Sequence, residues 1–157
     1  MKILLILTSL LGLFYAQEPF NGKIMVLKQQ LDPVYQIPLK EDSKWQCEAI
    51  LKSRQKAFFV SVKSMMQVYW HQSYFKKNSL LLDDIDKLYI KDFLNGKKIE
   101  ANKAFYLFGS RVVGPHGDDL IPFVSQQNAK LFKLKHGGTK ILPFSRLSKG
   151  LIRYLDM

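Results

Sequence analysis

Residues 103–123 read KAFYLFGSRVVGPHGDDLIPF, and their reading decides the fold. Residues 104–108 are an apolar, strand-like run that empties into Gly109-Ser110. A second glycine frame follows, Gly114-Pro115-His116-Gly117, and then another short apolar run over 120–124. Two buried strands joined by a glycine-rich loop fit this pattern. The loop displays a single histidine with no bulky neighbour to screen it. Such a residue suits a ligand or an acid–base group, and the same frame also serves an ordinary turn.

Toward the C-terminus, Ser125 is a helix cap and the spacing predicts a helix through Lys135. Ala129, Phe132 and His136 fall on one face, with Leu131 and Leu134 beside them. Gly137-Gly138 stops that helix. Residues 140–144 read as a strand. Ser145 then starts a last helix through Leu155, weakened by Gly150.

Toward the N-terminus, residues 97–101 read as a charged edge strand behind an Asn95-Gly96 turn. Residues 88–94 alternate Leu88, Ile90 and Asp92 against Tyr89, Lys91 and Phe93, a strand pattern. Residues 80–87 are a linker or short helix. Trp45, Cys47, Ala49 and Leu51 alternate with Gln46 and Glu48, which predicts a half-buried strand over 45–51. Residues 57–62 predict a deeper strand. Ser61 or Ser64 then caps a helix to Phe75, with Met65, Met66, Tyr69 and Trp70 along one face. Lys76 and Lys77 suit its C-terminal end. Pro33 and Pro38 disfavour helix before this, so 17–44 reads as a short strand at 24–27 and an extended segment.

The order strand, strand, helix, strand over 45–94 recurs over 104–144. Two such ββαβ units predict an α+β fold, one compact domain with mostly antiparallel sheets. The domain spans 45–157, behind an extended segment 17–44 and a separate leader 1–16. That leader has Lys2 followed by thirteen residues broken only by Thr8, Ser9 and Gly12 in their apolarity. It reads as a signal peptide cleaved after Ala16, which implies export to the periplasm. An uncleaved leader would instead anchor the chain in the membrane.

The chain has 157 residues, 47% hydrophobic and 24% charged, which is globular material. Its single cysteine, Cys47, excludes an internal disulfide and a multi-cysteine zinc site. The core alone must hold the fold. The net charge of +11 draws an exported protein toward an anionic membrane surface or acidic partners, or simply solvates a lysine-rich surface. The lysines are scattered without interleaved exposed aromatics, which argues against nucleic acid.

Three chemistries have candidates. His116 is the first, with Asp118-Asp119 placed to orient its imidazole. Met25, Met65, Met66, Cys47 and the three histidines offer soft or borderline donors that suit Cu(I), although Met65-Met66 at helical spacing also reads as core filling. Cys47 with a histidine would make a nucleophilic pair, but its strand position points to a buried, inert thiol. No GxSxG, no HExxH and no phosphate-cradling glycine loop occurs, so no enzyme is supported.

The C-terminal half resembles the NosL-like family, exported copper-binding accessory proteins of nitrous oxide reductase. The matching order is Ala104, Gly109-Ser110, Gly114-Pro115-His116-Gly117, Pro122-Phe123, Ala129 with Phe132, Gly137-Gly138, and Ile141-Leu142 with Phe144. More faintly, AFFVSVKSMMQVY at 57–69 is similar to the family's F-D-G-x-K-D-M-M-K-F-Y segment. The resemblance runs from about Pro33 onward. It implies a non-enzymatic protein that binds copper or delivers it to a cuproprotein or another copper-handling partner. Where the family carries copper-binding Cys-Gly-Met, this chain has Tyr35-Gln36-Ile37. Where the family loop reads G-P-M-G, it has His116. The family's lipid-anchor cysteine has no counterpart. The family's fold also resembles part of organomercury lyase, whose paired cysteines this chain lacks. The resemblance therefore leaves His116, with Met65 or Met66, as the metal candidates, or else an interaction module that has lost its metal.

Overall fold

A computed structural model describes residues 30–157. The leader 1–16 and the strand expected at 24–27, with Met25, lie outside the described residues.

Each of the two expected units builds its own antiparallel sheet. In the first, β1 (Cys47–Leu51) pairs with β2 (Lys56–Phe59) on one side and with β3 (Ile85–Lys91) on the other. The strand β4 (Lys98–Glu100) adds to β3 as the edge, giving the order β2-β1-β3-β4. In the second, β5 (Phe105–Phe108) pairs with β6 (Ile121–Phe123) and with β7 (Lys140–Pro143), giving the order β6-β5-β7. In both units the first strand is central, its hairpin partner lies on one flank, and the strand after the helix lies on the other. The repeated element order is therefore a repeated topology.

Each unit has its helix. The first has α1 (Val62–Trp70), which packs on β1 and β2, followed by the short α2 (Gln72–Lys77). The second has α3 (Gln126–His136), which packs on β5, β6 and β7. A final helix, α4 (Lys149–Leu155), lies against α1.

The central strand β5 serves two cores by the period-2 alternation of strand side chains. Tyr106 enters the main core with Phe59, Met65, Met66 and Ile90, while Leu107 enters a smaller core with Ile121, Phe123, Ala129 and Phe132. The opening stretch is thus the partition between them. Trp45 and Phe93 cover the smaller core, their rings 4.9 Å apart. The Tyr106 hydroxyl, fully buried, donates to the Ala101 carbonyl at 2.7 Å, which satisfies it locally.

Several expectations needed correction. The helix toward Phe75 breaks at His71, where the backbone leaves helical geometry before α2. The strand after Lys56 ends at Phe59, because Ser61 adopts an extended conformation and caps α1 through its hydroxyl. The strand expected at 88–94 begins at Ile85 and stops at Lys91. Asp92 ends it by turning its carboxylate onto the amides of Leu94, Asn95 and Val124. The last helix starts after Ser148, whose hydroxyl accepts from the Leu151 amide; Ser145 lies in a 3-10 turn over Phe144–Arg146. Leu131 and Leu134 do not join the buried face of α3, being 56% and 84% exposed.

Candidate functional site

The glycine frame closes as a tight turn, the Gly114 amide donating to the Gly117 carbonyl at 2.8 Å. Gly117 sits at φ 77°, a left-handed conformation that glycine adopts without cost. Gly114 is needed for space: a Cβ there would come within 2.8 Å of the Asp119 Cβ. His116 is therefore held at the tip of a stiff loop, exposed to solvent.

The loop docks on the N-terminal turn of α1, where backbone amides have no partner within the helix. Two buried carboxylates lie at this end, and Asp119 meets one of these amides. Asp32 accepts from the Val60 amide at 2.9 Å and from the Ser64 hydroxyl at 2.6 Å with one oxygen. With the other it accepts from the amides of Val34 and Tyr35, folding its own segment into a turn. Asp119 accepts from the Lys63 amide at 3.0 Å and the Leu120 amide at 2.8 Å. Both placements also favour the positive end of the helix dipole. Burial pushes the Asp119 carboxyl up to about 6, against the pull of the Leu120 and Lys63 amides. Its second oxygen is buried without a hydrogen-bond partner.

Lys63 is the centre of the arrangement. Its side chain is 1% exposed, and its ammonium donates to the His116 carbonyl at 2.7 Å and the Leu155 carbonyl at 3.1 Å. It also pairs with Asp156 at 3.0 Å and lies 5.3 Å from the centre of the Tyr35 ring. A buried ammonium requires such a full set of partners. One cation thereby ties the glycine loop, the C-terminal end of α4 and the N-terminal segment together.

Tyr35 stacks on His116, ring centres 4.0 Å apart and planes 14° from parallel. Its hydroxyl donates to Asp156 at 2.8 Å and accepts from Gln67 at 2.8 Å. Burial, then the bond to Asp156, pushes the phenol well above its ordinary range, so it stays protonated. Hydrogen bonds from Tyr35 and Lys63 hold Asp156 below the usual carboxylate range despite partial burial. Tyr35, which stands where the resemblance places the cysteine of Cys-Gly-Met, and His116, which stands where it places the loop methionine, therefore meet in space.

The sequence candidates divide sharply. His116 lines an open cleft of about 350 Å³ with Lys63, Asp118, Asp156 and Met157. Met65 and Met66 instead sit in the main core, 0% and 1% exposed. Cys47 is also buried there, and burial pushes its thiol well above the ordinary value. Among the described residues, no three His, Cys, Asp or Glu side chains converge as a metal site. Met157, 98% exposed, is the thioether that shares the cleft with His116. Sequence reasoning passed over Lys63, Asp32 and Asp156, and met Tyr35 only as the residue in place of the family's cysteine. Only the Asp32-Pro33 pair, a turn signal, gave local notice of its role.

The NosL family model matches residues 23–152. Two solved structures are similar. The crystal structure of the copper chaperone NosL from Shewanella denitrificans is 18% identical, with a TM-score of 0.53, covering 67% of this chain and 79% of that one. The solution NMR structure of the apo-NosL protein from Achromobacter cycloclastes is 22% identical, with a TM-score of 0.46, covering 68% of this chain and 87% of that one. No curated protein sequence matches the chain. The agreement of the sequence pattern with the fold of the first structure and the extent of the family match lead to one conclusion: this chain belongs to the NosL family.

Proposed function

We propose that the protein is an exported, non-catalytic accessory protein that carries Cu(I) as cargo and passes it to a copper-handling partner. The observation that carries this reading is the open cleft lined by both His116 and Met157, each of them exposed. Imidazole and thioether together suit Cu(I). Tyr35 supports the imidazole by stacking and, being protonated, leaves it as the nitrogen donor. Two side-chain donors leave Cu(I) open to a third ligand from a partner, which favours transfer over storage. The family match and the copper chaperone relative support the cargo, and the leader pattern supports export.

A second reading has its own observation. The Lys63 ammonium is fixed beside Tyr35 and His116, so a positive charge already stands at the site. An interaction module that has lost its metal would look like this.

Competition for Cu(I) against a colorimetric chelator separates the two. The copper reading expects one Cu(I) per chain. It also expects affinity to fall about tenfold or more in His116→Ala and in Met157→Ala, the loss of one ligand in a site of low coordination number. Unchanged affinity in both variants overturns the assignment of the cleft. Failure of the wild-type protein to compete at all favours the interaction module.

A further inference from the structure

The outward face of α3 carries a combination that the copper reading does not use. Phe132 and Ala129 turn inward. At 100° per residue, the opposite side presents Leu134 at its centre, with Gln127 and Lys130 nearest it, Leu131 about 60° away on the other side from Lys130, and Lys135 at the margin. All five are exposed, Leu134 to 84% and Leu131 to 56%. The charge on the helix is one-sided: α3 carries Lys130, Lys133 and Lys135 and no Asp or Glu, within a stretch, 120–155, that holds seven Lys and Arg and no acidic residue. The apparent scatter of lysines along the chain conceals this segregation.

We propose that this face of α3 is a docking surface for an anionic lipid bilayer. Leu131 and Leu134 enter the boundary between headgroups and acyl chains, while Lys130 and Lys135 reach back to the headgroups along their aliphatic stems. Charge complementarity supplies most of the attraction, at about fivefold in affinity per lysine near an anionic surface. Two leucines add a modest apolar contribution, so attachment is reversible and weakens with salt. A lipid surface fits better than an acidic protein for a local reason. Protein interfaces concentrate their energy in Trp, Tyr and Arg anchors seated in pockets, whereas this ridge is convex and offers only leucine, lysine and glutamine. The docking would hold the protein at the membrane face independently of whether the His116 cleft binds copper.

The test uses the full chain with Gln127→Cys carrying an environment-sensitive fluorophore, which reports burial of the α3 face itself. Selective labelling is available because Cys47 is buried. Vesicles of phosphatidylglycerol with phosphatidylcholine are expected to shift the emission to the blue, and phosphatidylcholine alone is not. Added Leu134→Ser is expected to weaken the partition about tenfold, and Lys130→Gln with Lys135→Gln about twentyfold or more. These residues are exposed, so circular dichroism should remain unchanged. No shift, an equal shift with phosphatidylcholine alone, or indifference to both sets of substitutions would overturn the proposal. A shift produced by polyglutamate but not by anionic vesicles would assign the face to an acidic protein instead.

Discussion

Lys63 explains why the loop, the segment at Tyr35 and the end of α4 meet where they do. Its ammonium satisfies the His116 carbonyl of the loop and, at the C-terminal end of α4, the Leu155 carbonyl and the Asp156 carboxylate. Lys63→Met keeps the stem's volume and removes the charge, leaving the carbonyls of His116 and Leu155 without their donor. The expected loss is about 2–4 kcal/mol in urea unfolding, the scale for stranding buried partners. Asp156→Ala should cost less, about 1 kcal/mol, because its side chain is 31% exposed and water can replace part of what is lost. Asp119 makes a pH prediction. Its folded-state pKa of about 6 lies above the usual carboxylate value. The folded protein therefore holds this proton more tightly than the unfolded chain. The resulting stability is fully present below about pH 4 and is lost as pH rises through 6, about 2–3 kcal/mol in all. Asp119→Asn should lack this decline, so the difference between the two stability curves should change by about 2–3 kcal/mol over pH 4–7. Parallel curves would show that the carboxyl is not perturbed.

Among the elements, α1 shows how a functional surface is attached to a core. Its buried turns carry Met65, Met66 and Val68 into the main core, while its first turn collects Asp32, Asp119 and Lys63. The methionine pair was legible as a helix face, and its alternative role as core filling is where the structure puts it. Lys63 was not legible, because a lysine in an apolar run gives no local sign that its partners lie far away. Tyr35 and Asp156, which surround it, are separated by 121 positions. The face of α3 misled in the opposite direction: Leu131 and Leu134 read as lying beside the inward face, whereas both are exposed and the helix seals its core with Ala129 and Phe132. β1 offers a direct check on element packing. Cys47 is 1% exposed and its thiol donates to the Trp45 carbonyl at 3.4 Å. It should resist a thiol-specific reagent in the native protein and react at once in denaturant. Rapid native labelling would mean that β1 is not where the fold requires it.

At the level of the whole molecule, the fold was legible because it repeats. Strand periodicity, capping serines and stopping glycines marked each element, and the recurrence of their order became two sheets with the same strand arrangement. Boundaries moved where polar side chains intervened, as at Ser61, Asp92 and Ser148. The candidate site was only half legible. His116 stood out by its glycine frame, but its neighbours Tyr35, Lys63 and Met157 arrive through tertiary structure alone. The fold thus brings Tyr35 and His116, 81 positions apart in the sequence, into one stack. Nitrogen-15 NMR during Cu(I) titration tests this most directly. The account predicts shifts centred on Tyr35, His116, Gly117 and Met157, with saturation at one equivalent. Shifts centred on Met65, Met66 or Cys47, or none at all, would contradict it.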